Sequence, residues 1–154
     1  MTSHDEGLRN DFHKRIASHL KSGAIEVVHD KDLLSIEHHF EKMGFPRKVE
    51  EILWETVPNS EHYVVKIPTR LEESRDFTNR IIQEYKLKGP VILYGDYFLM
   101  EEYRMNITLL PSVLWDFIQI PICLYVVNVE QNWCFSYHDF RHLNFGFAPE
   151  KLPA

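Results

Sequence analysis

Glycine and proline are sparse, at six and eight among 154 residues, which excludes a collagenous or Gly/Pro-rich disordered chain. No apolar run reaches the roughly 18 residues of a membrane-spanning helix. The opening MTSHDEGLRNDF lacks the apolar stretch of a signal peptide. Cysteine is limited to Cys123 and Cys134, both in apolar surroundings, where a reduced thiol behaves as a small hydrophobe. The expectation is a cytoplasmic chain with two free thiols. The phosphate-cradling GxGxxG and GxxxxGK[ST] patterns are absent, as is the GxSxG of a nucleophile elbow. Gly44-Phe-Pro and Gly89-Pro-Val read as helix ends, and no cofactor is expected.

Positive charge is also scarce. Lys and Arg total 17 against 23 Asp and Glu, a net charge of −6. Between Gly89 and Phe140 the only basic residue is Arg104, against Asp96, Glu101, Glu102, Asp116, Glu130 and Asp139. Phosphate contacts need a basic patch, so nucleic acid and anionic membranes are disfavoured as partners. A basic protein partner is permitted, and an acidic, solvated face is the simpler alternative.

What is present is ordinary globular material. A hydrophobic fraction of 44% over this length suits one domain with one real core. Leu8, Phe12, Ile16 and Leu20 recur at i, i+4 and draw one helical stripe, with Gly23 as its stop. Ala24–His29 is a short strand or a connection. Asp30 or Asp32 caps a second helix that ends at Gly44, and Pro46 suits the first turn of a short third helix through Leu53. His62–Ile67 has the β-branched and aromatic content of a strand. Thr69-Arg-Leu-Glu72 fits a capping box, and Phe77, Ile81 and Tyr85 share a face of the helix behind it, which runs to Lys86, Lys88 and Gly89-Pro90.

The second half turns to strands. Val91–Tyr94 and Tyr97–Met100 flank Gly95-Asp96, a type II′ hairpin signal. Ser112–Gln119 reads as a short buried helix. Ile122–Val129 and Trp133–Tyr137 read as a hairpin with a three-residue loop, pairing Val129 with Trp133, Val127 with Phe135 and Tyr125 with Tyr137. Asn144–Phe147 adds an edge strand. The fold class expected is α+β: one domain over residues 1–154, with N-terminal helices on one face of a mainly antiparallel sheet from the C-terminal half, and 148–154 a loose tail.

Candidate chemistry is thin. His138 and His142 stand at i, i+4, but the Glu of HExxH is missing and the pair follows a strand, so a turn with exposed imidazoles is favoured over a metal site. Cys134 and His138 lie four apart on a strand, roughly 13 Å, too far to pair within it. Glu101 and Glu102 point to opposite faces of a strand and make a poor catalytic dyad. The stronger signal is aromatic: thirteen of the twenty Phe, Trp and Tyr fall between Tyr94 and Phe147. More aromatics than one helix-on-sheet layer hides, mixed with acids and nearly free of Lys, is the composition of a protein interface.

Leu114-Trp-Asp-Phe-Ile118, Leu124-Tyr-Val-Val-Asn128 and Trp133-Cys-Phe-Ser-Tyr-His138 resemble the C-terminal regions of small bacterial immunity proteins that neutralise polymorphic or contact-dependent toxins. The likeness is confined to the C-terminal third and carries no catalytic fingerprint. It implies a cytosolic, non-enzymatic inhibitor that binds a toxin domain. Steric occlusion of a basic toxin cleft by an acidic surface would supply the mechanism. The residues expected to contact such a partner are Asp96, Glu101, Glu102, Asp116, Glu130 and Asp139, with Tyr97 and Tyr103 as aromatic anchors. The rival readings are a small enzyme using His138, Asp139 or His142, with or without a metal, and a homodimeric module that buries the aromatic surplus between two copies.

Overall fold

The computed structural model describes residues 3–28, 35–48, 51–95, 101–118, 123–139 and 141–149, with only the backbone of residues 5, 35–38 and 48. The helices are α1 (Ser3–Arg15), α2 (Ala17–Ser22), α3 (Ser35–Met43), α4 (Arg70–Glu84) and α5 (Leu110–Ile118). The strands are β1 (Ile25–Val28), β2 (Arg47–Lys48), β3 (Glu51–Ile52), β4 (Glu61–Val64), β5 (Pro90–Gly95), β6 (Glu102–Asn106), β7 (Cys123–Asn128), β8 (Trp133–His138) and β9 (His142–Phe147). Seven strands form one sheet in the order β1-β6-β5-β7-β8-β9-β4, every pair antiparallel, and β2 with β3 forms a separate small hairpin. The chain is α+β, with helices in the N-terminal half and a sheet drawn mostly from the C-terminal half. Among the described residues no helix is long and apolar enough to cross a membrane.

Strand alternation sorts the side chains onto two faces. On one, Trp133, Phe135 and Tyr137 of β8 join Leu124 and Val126 of β7, Leu143 and Phe145 of β9, and Tyr103 of β6. Phe12 of α1, Phe77 and Ile81 of α4, and Leu114 and Phe117 of α5 pack onto this face, all buried. The Phe12 ring lies 4.9 Å from Phe117 and 5.6 Å from Tyr103, both edge-on, the arrangement aromatic quadrupoles favour. A fully buried polar pairing in this layer is closed on itself. Thr78 Oγ1 donates to the Ser74 carbonyl at 2.8 Å and accepts from the Tyr137 hydroxyl at 2.6 Å. Burial raises the Tyr137 phenol well above its ordinary range.

The second face is covered too, which corrects the expectation of helices on one side only. Phe40 and Met43 of α3 with Phe45, Ile52 and Val57 pack on Tyr94, Tyr125, Val127 and Cys134. This second layer takes up Tyr94 and Tyr125 of the aromatic surplus, and the first buries Tyr103, Phe117, Trp133, Phe135, Tyr137 and Phe145. Of the ten described members of that surplus, only Trp115 and Phe147 are exposed.

Several local expectations change. The β7–β8 turn has four residues, 129–132, so Asn128 faces Trp133, Val126 faces Phe135 and Cys123 faces His138. The segment after Pro46 forms β2, β3 and a 3-10 turn at Trp54–Thr56 instead of a third helix. β9 is interior, because β4 pairs beyond it. The first helix breaks after Arg15, although Phe12 and Ile16 are fully buried. β6 starts at Glu102, and the proposed strand 97–100 and the caps Asp30 and Asp32 lie outside the described residues. Neither Cys123 nor Cys134 is in a disulfide.

The capping box at α4 is replaced by a tighter device. The Glu73 carboxylate, not Glu72, receives the Thr69 hydroxyl at 2.6 Å, the Tyr63 hydroxyl at 2.7 Å and the Lys66 backbone N–H at 2.9 Å. These donors, Thr69 foremost, hold the Glu73 carboxyl below its ordinary range, and the same contact raises the Tyr63 phenol. The helix ends at Glu84, short of Lys86 and Lys88, with Lys86 in the left-handed region at φ 53°.

Two outcomes follow. A Cβ on Gly146 would stand 3.1 Å from Trp54 Cζ3 and 3.1 Å from Val57 Cγ1. Gly146→Ala should therefore cost about 1–3 kcal/mol in urea unfolding by prising the 54–60 segment off the sheet. For Glu73, the folded carboxyl is the more acidic one. Its contribution is fully present above the unfolded value of about 4.3 and is lost as pH falls through the lower folded value. The stability difference between wild type and Glu73→Gln, followed by denaturant midpoint against pH, should be largest at neutral pH and vanish in acid.

Candidate functional site

The cover over the second face stops short of one end of the sheet and leaves an open cleft of roughly 600 Å³. Its floor is a set of cross-strand rows fixed by the register of β7, β8, β9 and β4. One row runs Cys123, His138, His142; the next runs Tyr125, Ser136, Asn144, His62; Gly146 opposite Cys134 begins the third. Glu51, Ile52, Trp54, Glu55 and Ser60 form the opposing wall, and Asp139 in the β8–β9 turn closes the mouth. The small side chain of Ser136 leaves depth in the cleft floor, and Gly146 lets Trp54, Val57 and Ser60 close onto the sheet beside it.

The floor is polar and internally connected. Asn144 Nδ2 donates to Ser136 Oγ at 3.3 Å, which leaves Asn144 Oδ1 to accept from His62 Nδ1 at 2.7 Å. His62 and His142 stack, rings 5.5 Å apart and 22° from parallel. His138 is held between two carboxylates, Nε2 at 3.1 Å from Glu51 Oε1 and Nδ1 at 3.4 Å from Asp139 Oδ2. Burial raises the Tyr125 phenol far above its ordinary range, with Cys123 beside it contributing, and burial likewise raises the Cys134 thiol. Among the described residues the lining carries three carboxylates and three imidazoles but no Lys or Arg. Among the described residues no three His, Cys, Asp or Glu side chains are grouped so as to hold a metal ion.

The residues proposed from the sequence fall in different places. Asp139 is exposed at the cleft mouth with His138 and His142. Glu130 is exposed in the β7–β8 turn. Asp116, half-buried on α5, accepts from Arg15 Nε at 3.1 Å, and Glu101 pairs with Arg9. Glu102 is only 3% exposed, with Oε1 at 3.1 Å from His39 Nε2 and Oε2 accepting from Arg104 at 3.1 Å. Tyr103 is buried against Phe12 and Phe117 with its hydroxyl 2.9 Å from His13 Nε2. The expectation that Glu102 and Tyr103 face a partner is thus corrected: β6 is an interior strand, and both of its faces are covered at those positions. Asp96 and Tyr97 lie outside the described residues.

Sequence reasoning missed Glu51, Trp54, Glu55, Ser60, His62, Cys123, Ser136 and Asn144. A signal for part of the set was present: Ser136 and Asn144 are small polar residues at alternate positions of strands otherwise rich in aromatics. The distant wall from Glu51 to Ser60 had no such signal, because it reaches the cleft only through the packing of Trp54 and Val57 on Gly146. No protein-family model matches the chain, and no curated protein is significantly similar to it.

Proposed function

We propose that the chain is a non-enzymatic, protein-binding inhibitor of the immunity type, which neutralises a basic toxin domain by occluding its active site. The observation that carries this reading is the electrostatics of the cleft. Glu51 and Asp139 are two-thirds exposed at its mouth, at 66% and 62%, Glu55 also lines it, and among the described residues no Lys or Arg does. A concave, acidic, partly aromatic surface suits the cationic side chains that line a nuclease's substrate groove. The acids first suspected on β6 and α5 contribute less, because Arg9, Arg104 and Arg15 already pair with them. The docking surface is therefore assigned to the cleft mouth and to Glu130 and Asp139.

A second reading, a small enzyme working through His138, Asp139 and His142, is favoured by one observation: all three line the same cleft. The inhibitor reading is preferred because both ring nitrogens of His138 already lie against carboxylates.

The test is whether a toxin gene adjoins this chain's gene and whether its catalytically inactivated toxin domain binds the chain. Glu51→Lys with Asp139→Lys should weaken the complex by at least about tenfold, roughly 1.4 kcal/mol, and affinity should fall with ionic strength. A complex indifferent to both charge reversal and salt overturns the reading, as does a chain with no toxin to bind.

A further inference from the structure

The cleft combines three features that answer to the same kind of group. The first is a carboxylate excess that the protein does not neutralise. Glu51 belongs to the covering wall and Asp139 to the β8–β9 turn, and the His138 ring lies between them, Nε2 3.1 Å from Glu51 Oε1 and Nδ1 3.4 Å from Asp139 Oδ2. A neutral imidazole has a single N–H, so it donates to one of these carboxylates and turns a lone pair toward the other. Even a ring protonated on both nitrogens offsets only one of the three carboxylates that line the cleft, Glu55 being the third. Among the described residues no Lys or Arg lines it; Arg141, exposed in the same turn, is outside the lining.

The second feature is a set of acceptors on the floor. His62 Nδ1 donates to Asn144 Oδ1 at 2.7 Å, and that bond leaves the Nε2 lone pair of a neutral ring unused. Ser136 Oγ, on a residue only 2% exposed, accepts from Asn144 and keeps a second lone pair. The third is flat ring surface. His62 and His142 lie stacked, 22° from parallel, and half-buried Trp54 lines the same cleft.

We propose that the cleft is a pocket for one arginine side chain of a protein partner, selected over lysine. A guanidinium is planar and permanently charged, carries N–H donors along several edges and no acceptor, and stacks on aromatic faces. Carboxylates on two sides of the mouth, acceptors below them and rings beside them use all of those properties together. An ammonium is a compact, strongly hydrated point charge that uses only the first. The cleft, at roughly 600 Å³, leaves room for the side chain and part of the backbone that presents it. That the arginine belongs to a toxin rests on the inhibitor reading; the selection belongs to the cleft itself.

The experiment titrates the folded full chain at fixed pH with three probes: Nα-acetyl-arginine amide, Nα-acetyl-lysine amide and Nα-acetyl-citrulline amide, the last a neutral isostere of the first. Binding is followed by nuclear magnetic resonance of the imidazole and indole signals. The arginine probe should bind at least about threefold more tightly than the lysine probe, and the citrulline probe should not compete with it. Its footprint should include the His62 and His142 rings. Glu51→Gln with Asp139→Asn, both exposed and checked for an unchanged unfolding midpoint, should weaken the arginine probe by at least about fivefold. Equal affinity for arginine and lysine, equal affinity for citrulline, a footprint that omits His62 and His142, or indifference to the double substitution would each overturn the pocket. The two readings fail separately. Toxin binding beside an unselective cleft overturns the pocket alone, and an arginine-selective cleft on a chain with no toxin partner overturns the inhibitor reading alone.

Discussion

The pairing of β7 with β8 governs the rest of the molecule. With Asn128 opposite Trp133, the odd residues of β8, Trp133, Phe135 and Tyr137, all point to the helix-covered face, where Phe77 and Phe145 meet them. The even residues Cys134, Ser136 and His138 turn to the other side. Because the side-chain period of a strand is two, this division is all-or-none: a slip of one residue on β8 would put three aromatics into the cleft and a thiol, a hydroxyl and an imidazole into the core. The burial of the three aromatics opposes that slip. The apolar face therefore specifies the polar one, and the cleft inherits its geometry from packing on the opposite side of the sheet.

The same sheet settles where charge is expressed. Carboxylates on β6 and α5 lie near the arginines of α1 and β6, and they are used to close the structure: Arg9 with Glu101, Arg104 with Glu102, Arg15 with Asp116. In each pair the carboxylate is largely buried, so the arginine satisfies it and removes its charge from any field felt by a partner. Among the described residues that line the cleft, the only groups able to carry positive charge are imidazoles. Net charge of the chain is thus a poor guide to its surface potential. Glu51, Glu55, Glu130 and Asp139 are exposed, and no arginine ion pair holds them among the described residues.

Much of the architecture was legible in the sequence because it rests on local signals. The Leu110–Ile118 helix, the Gly44 stop at φ 84° and the two strands of the β7–β8 hairpin were all marked by periodicity or turn chemistry. The failures share a cause. The hairpin register depended on whether Val129 belongs to strand or turn, which a β-branched residue argues wrongly when tertiary pairing decides. The segment from Pro46 to Leu53 carries apolar residues at helical spacing, yet it pairs as β2 and β3, with Ile52 packed into the layer that contains Tyr125. The cleft could be read only on its C-terminal side, since its two walls are far apart in sequence and meet only through tertiary packing. Asp139, His138 and His142 were visible as a cluster, but their partners Glu51, His62 and Cys123 were not.

The central claim is the parity of β8, and nuclear Overhauser contacts between backbone protons of β7 and β8 test it most directly. The account predicts cross-strand contacts that place Val126 opposite Phe135 and Cys123 opposite His138. Contacts that instead place Val127 opposite Phe135 and Tyr125 opposite Tyr137 would contradict it, and with it the position of every side chain assigned to the cleft floor on that strand.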